Sequence, residues 1–417
     1  MARKPADALT GIEIGTSAIK VCIGCPRQDG SISIAAFDET PCINKIMKGE
    51  VQDVEAVQDL LADTLNQAEE TAGCAAGKVF LAITGAHIGS VNAQGTVPIR
   101  GQDRKITEED IIEATRQARG YRLPIEKIAV NSCQRAYQVD GDRTVSQPLG
   151  MTASKLMADI HFVYGNYNNI QTTCSLVDGV LGYPATDISF SGVADVYGLA
   201  LGAEQTNGVL VVDIGAGVTE YVVYYEEGCM HSGQITVGCE HLANDLAIGL
   251  QIPISKARDL LKSHGAAMRR ADGVVRRVEV EISLGHEPKS FKESTIQTVI
   301  ELRLLELFQI ICDDLSRHHM LDKLSDGVVL CGGGALIPHI EELARSYFSI
   351  PVRIGQPSNV SGEEKAIRSP RCVTPIGLLH LGYQLQKMEE SKAVPLGEAM
   401  KRDMRKLVNL AKKAIKF

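Results

Sequence analysis

Three glycine-bearing turns hold the residue types with the clearest chemical use. Residues 13–17 read EIGTS, residues 213–217 read DIGAG, and residues 332–334 are consecutive glycines within GVVLCGGGALI at 327–337. Gly15, Thr16 and Ser17 in the first turn, and Gly215, Ala216 and Gly217 in the second, combine free backbone with small side chains or hydroxyls. Successive backbone N–H dipoles in such a turn form an anion-binding concavity that suits a phosphate tail. Two turns gripping one polyphosphate from opposite sides need small residues, because a Cβ blocks close approach. Asp213, with Glu13 as its counterpart, is placed to hold Mg2+ through water, since that ion keeps its hydration and takes few carboxylates. The same two acids are the candidates for a catalytic role. Gly332, Gly333 and Gly334 let backbone approach a flat or charged part of a ligand. The set is neither a P-loop nor a dinucleotide G-x-G-x-x-G, since no Lys-Ser/Thr follows and the spacing differs. Each turn alone reads equally well as the end of a strand. Their matched positions favour a shared ligand.

The elements around them form a weak internal duplication. Residues 9–37 (LTGIEIGTSAIKVCIGCPRQDGSISIAAF) and 208–237 (GVLVVDIGAGVTEYVVYYEEGCMHSGQITV) follow one order. Each reads as an apolar strand, an acidic residue, an Ile-Gly turn, a β-rich strand, a polar turn with glycine, and a third strand. Strands rich in Val, Ile and Tyr joined by QDG or EEG are hairpin chemistry. Two copies of one unit imply two similar lobes facing each other across a cleft. The spacing of Val54, Val57, Leu61, Leu65 and Ala68 predicts a helix over 53–72, and KVFLAI at 78–83 reads as a strand. Thr107, followed by Glu108, Glu109 and Asp110, predicts an N-cap opening a helix over 107–119. Residues 84–162 hold no copy of the unit and read as an insertion with its own hairpins and helix. Helices are expected over 255–263 and 295–319, with a hairpin-like stretch at 274–283 between them. His318 and His319 read as solvated helix-end residues with no ligand set around them. EESKAVPLG at 389–397 reads as a polar linker. Strands mixed with helices give an α/β chain.

At 417 residues the chain is too long for one core of ordinary size, so two or more domains are expected. Hydrophobic residues at 44% and charged residues at 23% exclude a mainly disordered or fibrous chain. A net charge of −8, no Trp and only 5% aromatics argue against nucleic acid as a partner. No run of eighteen apolar residues would span a membrane. The apolar run after Arg3 and Lys4 is too short for a signal peptide, so the chain is expected to stay inside the cell. Eleven cysteines are then expected to be reduced. Cys22 and Cys25 form one C-x-x-C without a second pair, which reads as structural before metal or redox.

In this order and at these distances, strand-EIGTS, strand-DIGAG and strand-GGG resemble the phosphate-1, phosphate-2 and adenosine motifs of the actin-like ATPase superfamily. PIGLLHLG at 375–382 resembles its last connecting helix. Within that superfamily the chain resembles the bacterial cell-division FtsA family. The shared features are Glu in the first motif, an insertion after KVFLAITGAHI, VGCEHLANDLAIGL at 237–250, RIGQPSNVSG at 353–362, and a terminal basic helix. The resemblance covers nearly the whole chain, and its specificity lies in the ordered set.

It implies an α/β, actin-like two-lobed fold of duplicated ribonuclease-H-like domains with an FtsA-type inserted subdomain. Residues 5–83, 163–203 and 371–388 would form the first lobe, and 84–162 the insertion that meets a neighbouring subunit in a filament. Residues 204–240 with 322–370 would form the second lobe's core, 241–321 its small subdomain, 389–397 a linker and 398–417 a membrane-targeting helix. ATP and Mg2+ are implied between the lobes. Gly15, Thr16 and Ser17, then Asp213, Gly215, Ala216 and Gly217, then Gly332, Gly333 and Gly334 match the three loops. Lys262, in KARDLLKSHG at 256–265, resembles a position in the helix against adenine. There are departures: Ala18 stands where a Lys is common, Ala216 where many relatives have Gly, and Glu13 is a methylene longer than Asp. In-line attack by water is sensitive to small displacements, so binding and polymerisation with at most slow ATP hydrolysis are expected.

Residues 398–417 read EAMKRDMRKLVNLAKKAIKF. Met400, Met404, Leu407, Val408, Ala411 and Ile415 share one helical face, and Lys401, Arg402, Arg405, Lys406, Lys412 and Lys413 crowd the rest. A basic amphipathic helix on an acidic protein reads as an interfacial anchor for an anionic membrane surface, or else as a helix packed on its own protein. The resemblance further implies the tail of the tubulin-like protein FtsZ as a partner of the small subdomain, other division proteins as partners, self-assembly, and a place on the cytoplasmic face of the membrane at the division site. Arg303 and Glu306 match a recurring Arg-x-x-Glu there. Arg303 reads either as an anchor for a carboxylate or as the partner of Glu306 in an ion pair. Lys289 and Lys292 lie in a stretch that reads as a polar loop nearby. The competing functions are a small-molecule kinase and a type IV pilus assembly adaptor, which share the fold.

Overall fold

The computed structural model describes residues 8–393 apart from 102, 227, 270–273, 282–287 and 363. The terminal amphipathic stretch at 398–417, with every membrane residue named in it, lies outside the described residues, as do 5–7 and 394–397.

The chain opens with an antiparallel meander, β1 (Leu9–Ile14), β2 (Ala18–Pro26) and β3 (Ile32–Pro41). A small ribbon follows, β4 (Ile46–Met47) with β5 (Glu50–Val51). Helix α1 (Val54–Ala72) starts at Asp53, whose carboxylate accepts from the Ala56 amide, and ends at Gly73 in the left-handed region. Its apolar stripe of Val57, Leu61, Leu65 and Ala68 is buried as the spacing requires. Strand β6 (Lys78–Ile83) then pairs parallel with β1.

The insertion is a separate layer. Strands β7 (Gly89–Pro98), β8 (Lys127–Val139), β9 (Arg143–Val145) and β10 (Lys155–Asn166) form an antiparallel sheet ordered β7-β10-β8-β9. Helix α2 (Glu108–Arg119) closes one face with Ala114 and Ala118 in a small core beside Leu156, Ile160 and Phe162. Its start is the N-cap expected at Thr107, completed as a capping box by Asp110, which reaches back to the Thr107 amide. The chain then returns through α3 (Tyr167–Leu181), β11 (Asp187–Phe190) and α4 (Ser191–Leu199).

After a short α5 (Glu204–Asn207), the meander recurs as β12 (Val209–Ile214), β13 (Thr219–Tyr225) and β14 (Gly228–Ile235). The small subdomain comprises α6 (Cys239–Leu250), α7 (Ile254–His264), the ribbon β15 (Arg277–Val280) with β16 (Lys289–Lys292), and α8 (Glu293–Arg317). Strand β17 (Val328–Cys331), α9 (Ile340–Phe348) and β18 (Val352–Ile354) complete the lobe. Strand β19 (Val360–Gly362), α10 (Glu364–Ile367) and α11 (Val373–Ala393) follow.

The sheet orders are β11-β6-β1-β2-β3-β19 and β14-β13-β12-β17-β18. Each therefore has three antiparallel strands followed by two parallel ones, β1 beside β6 then β11, and β12 beside β17 then β18. The duplication is thus a duplication of topology. Helix α11 crosses back onto the first lobe beside α4. Glycine permits that contact, since a Cβ on Gly377 would lie 1.9 Å from the Ala194 carbonyl oxygen. One apolar core runs through both lobes, from Ile12 and Leu61 to Val209 and Val329.

Four expectations need correcting. Residues 360–362, placed with the second lobe, pair in parallel with β3 at the edge of the first sheet. Residues 389–393, read as linker, continue α11, because ESKA contains no helix breaker before Pro395. The described part of 274–283 supplies one ribbon strand, β15, whose partner is β16. Lys289 and Lys292 therefore sit on a strand and not in a loop.

Candidate functional site

The two acidic turns are the same structure. Gly15 N–H donates to the Ala18 carbonyl at 3.1 Å, and Gly215 N–H donates to the Val218 carbonyl at 3.0 Å. Cross-strand register pairs Glu13 with Lys20 in the first lobe and Asp213 with Glu220 in the second. Gly15, Thr16, Ser17, Asp213, Gly215, Ala216, Gly217, Gly332 and Gly333 all line one cleft between the lobes, with Glu13 beside them. Gly332 has φ +80°, and a Cβ there would lie 1.9 Å from Asp213 Oδ1. Only glycine lets the third loop cross the acid so closely. Gly334 is buried behind the loop against Ile214 and does not reach the lining. Lys262 is exposed on α7, outside the lining.

The cleft floor is rich in acid. Both Glu13 oxygens accept from Lys20 Nζ, at 2.9 and 3.0 Å. Asp213 Oδ2 faces the Thr374 hydroxyl at 3.5 Å, while its Oδ1 is buried without a hydrogen-bond partner. Burial, reinforced by Glu13, pushes the Asp213 carboxyl up to about 6. Burial also pushes Glu220 up to about 8, against hydrogen bonds from Ser191, Thr84 and the Gly85 amide. Asp195, fully buried and bonded to Thr374, is raised well above the usual carboxylate range by burial and then by Asp213. Burial works against the charge on Lys20, but Glu13 and Asp213 outweigh it and raise its pKa. Four carboxyl groups thus act on one another here, and two of them, Glu13 and Asp213, also act on the buried Lys20 ammonium.

The comparisons with known proteins agree with this geometry. One family model, described as cell division protein FtsA, matches residues 210–377, and a second, the SHS2 domain inserted in FtsA, matches 85–164. The chain belongs to the FtsA family. Cell division protein FtsA of Pseudomonas aeruginosa is 29% identical over 386 residues, covering 93% of this chain and 92% of that protein. FtsA of Escherichia coli K12 is 29% identical over 383 residues, with 90% of each covered. Among solved structures, a PilM–PilN type IV pilus biogenesis complex superposes with TM-score 0.64 at 17% identity, covering 92% of this chain and 99% of that one. MreB5 of Spiroplasma citri bound to AMPPNP gives 0.58 at 15%, covering 93% and 99%. These two likenesses show the actin-like fold. The insertion expected at 84–162 is the family's inserted domain.

Several cleft residues of this FtsA-family chain escaped the sequence reading. Lys20, Thr84, Ser191, Glu220 and Arg371 line the cleft. Lys20 and Glu220 had a signal, since each breaks an apolar strand at the same offset of seven from its lobe's acid. Lys20 also bears on one departure. It lies two residues beyond Ala18, hence on the same strand face, and it lines the cleft.

On the small subdomain, Arg303 is fully engaged. Its Nε and one terminal nitrogen donate to Asp245 at 2.5 and 2.9 Å, and its other nitrogen donates to Glu306 at 2.5 Å. The ion-pair reading of Arg303 and Glu306 is therefore what the structure contains, with Asp245 as an added partner. Exposed Ile248 and Leu302 flank this network on α6 and α8. Lys289 Nζ donates to the Gln251 carbonyl at 3.0 Å, and Lys292 stands exposed at the start of α8. The sequence alone shows no ligand set around His318. In the structure this residue lies against Asp314 and His231. Among the described residues no helix is long and apolar enough to cross a membrane.

Proposed function

We propose that this FtsA-family protein binds ATP with Mg2+ between its lobes and assembles with copies of itself. In this reading it tethers the tubulin-like protein FtsZ to the cytoplasmic face of the membrane at the division site, recruits other division proteins, and turns ATP over slowly at most. One observation carries the nucleotide reading. Three turns from separate stretches meet in one cleft whose floor holds an unpartnered carboxylate oxygen, Asp213 Oδ1. A buried charge without a partner is costly, and a divalent cation at this point would offset it. Asp213 suits Mg2+ held through water. Glu13 suits it less, because Lys20 already occupies both its oxygens. The bound metal would supply charge neutralisation for the phosphates; the glycine turns supply close backbone approach. Mg2+–ATP should raise the melting temperature of the native chain and leave Asp213→Ala unmoved. Equal protection of both would overturn the assignment.

For the FtsZ tail we propose the α6–α8 face. Ile248 and Leu302 offer apolar contacts, and Lys289 and Lys292 add positive charge. Arg303, held by Asp245, orders the surface instead of reaching for a partner carboxylate. For the membrane, the sequence of 398–417 supports an interfacial helix with seven basic residues. Each contributes on the order of 1 kcal/mol at an anionic leaflet, which the cost of ordering reduces. A filament presenting many helices would bind much more tightly through effective concentration. Flotation with anionic liposomes should carry the full chain and lose a chain ending at Ala393, which keeps α11 whole. If both float equally, the anchor is elsewhere.

A further inference from the structure

Away from the cleft, His231 on β14 meets Asp314 on α8 and His318 at that helix's C-cap, where the second lobe's sheet abuts the small subdomain. One donor atom from each lies within 4.8 Å of the other two. His231 Nε2 is 2.6 Å from Asp314 Oδ2, and His318 Nδ1 is 3.5 Å from Asp314 Oδ1. The two imidazoles stack, with ring centroids 4.2 Å apart. We propose that these three side chains form a binding site for a divalent transition ion of the zinc class, distinct from the nucleotide cleft.

The donor set selects the ion. Two imidazole nitrogens and one carboxylate oxygen suit Zn2+, Co2+ or Ni2+, whereas Mg2+ and Ca2+ prefer oxygen throughout. Asp314 lies in the last turn of α8 and His318, four residues on, caps it on the same side, and His231 comes from a separate strand. Three protein ligands leave a fourth position for water.

The surroundings also fit. The Tyr221 hydroxyl donates to Asp314 Oδ2 at 2.5 Å, orienting the carboxylate as an outer-shell partner does. His231 is 7% exposed, while the His318 side chain is 47% exposed, so the ion has a buried anchor and a way in. Arg317 approaches Asp314 Oδ1 at 3.5 Å, but its side chain is 71% exposed and its Nε is held by the Asp313 carbonyl at 3.1 Å, away from the three donors. Coordination replaces the His231–Asp314 hydrogen bond and the one between His318 Nδ1 and the Asp314 carbonyl at 2.9 Å. His231 Nε2 and His318 Nδ1 each give a lone pair to the metal, and a proton on either is released to solvent or carried on the other nitrogen of its ring. Rotation of the exposed His318 ring brings the donors to tetrahedral separation. The bound ion would tie the C-terminal end of α8 to β14, and so fix the small subdomain against the lobe core.

The test uses the full chain, stripped of transition ions and saturated with Mg2+–ATP, titrated with Co2+. The expected result is one equivalent bound, with the visible absorption of nitrogen and oxygen ligation and no thiolate charge-transfer band from the eleven cysteines. Zn2+ should displace it. His318→Ala, a change at an exposed position, should weaken binding at least roughly tenfold. His319→Ala, at the adjacent histidine outside the trio, should not. Absence of the band, or equal affinity in His318→Ala and the native chain, would overturn the site and leave only a His–Asp hydrogen bond.

Discussion

The two walls of the cleft share one hairpin and differ by the sign of one charge. Across β1 and β2, the partner of Glu13 is Lys20; across β12 and β13, the partner of Asp213 is Glu220. The first wall neutralises itself, with both Glu13 oxygens on the Lys20 ammonium. The second wall sets two carboxyls together in a buried place, and with Glu220 pushed to about 8 it keeps a proton at neutral pH. A duplicated backbone therefore carries two chemistries. One lobe is electrostatically complete on its own, and the other is completed by a cation. The distinction also explains why Asp213 Oδ1 is left without a partner while both Glu13 oxygens have one.

The sharpest way to break this contrast is to remove the cation from the complete wall. Lys20→Met leaves the largely buried Glu13 unpaired, and should destabilise the chain by about 3–5 kcal/mol in urea unfolding. Adding Glu13→Gln should return most of that loss, because the unpaired charge goes with it. A cost below about 1 kcal/mol for Lys20→Met would mean that the first wall does not depend on its ion pair.

The second wall should respond with the opposite sign. The folded-state pKa of Glu220, about 8, lies above its ordinary value of 4.5. The folded chain therefore binds more protons than the unfolded one between those values, and stability without nucleotide falls as pH rises through that window. Glu220→Gln removes this term. Its stability profile between pH 5 and pH 8 should be flatter than the native one. At pH 8 the variant should gain roughly 2–4 kcal/mol relative to its difference from the native chain at pH 5. Parallel profiles for the two chains would show that Glu220 does not carry the buried proton.

Much of this was legible before the fold was known. The duplication could be read because strand, acid and turn recur at fixed offsets, and the backbone obeys the same offsets down to the Gly15 and Gly215 turn hydrogen bonds. Lys20 and Glu220 were visible as charges inside apolar strands, but a strand pattern does not reveal which neighbour a charge will meet. Asp195, Thr84 and Ser191 gave no signal, since their proximity to the acids arises only when α4 and the end of β6 fold against the second lobe. Strand β19 was misplaced for a related reason. Three residues carry too little pattern to choose a sheet, and parallel pairing with β3 decided it. His231 was hidden likewise, because its partners lie some eighty residues on, at the end of α8.

The smallest effect on stability gives a distinct answer about the ligand. Gly217 and Gly333 both line the cleft, yet for different reasons. A Cβ on Gly217 would lie 2.4 Å from Thr16 Oγ1 and 2.9 Å from Lys48 Cα, so this glycine lets the second lobe's turn close on the first lobe. Gly217→Ala should cost about 1–3 kcal/mol of stability through overpacking, with or without nucleotide. A Cβ on Gly333 would meet nothing within 4 Å. Gly333→Ala should therefore leave unfolding within roughly 0.5 kcal/mol of native. If the third loop lies against a nucleotide, the same methyl should weaken ATP binding by about tenfold, as overpacking of about 1.4 kcal/mol would. Stability and affinity are measured on one protein, so the two readouts separate a glycine needed by the fold from one needed by the ligand. Unchanged affinity in Gly333→Ala would detach the third loop from the nucleotide while leaving the two acidic turns in place.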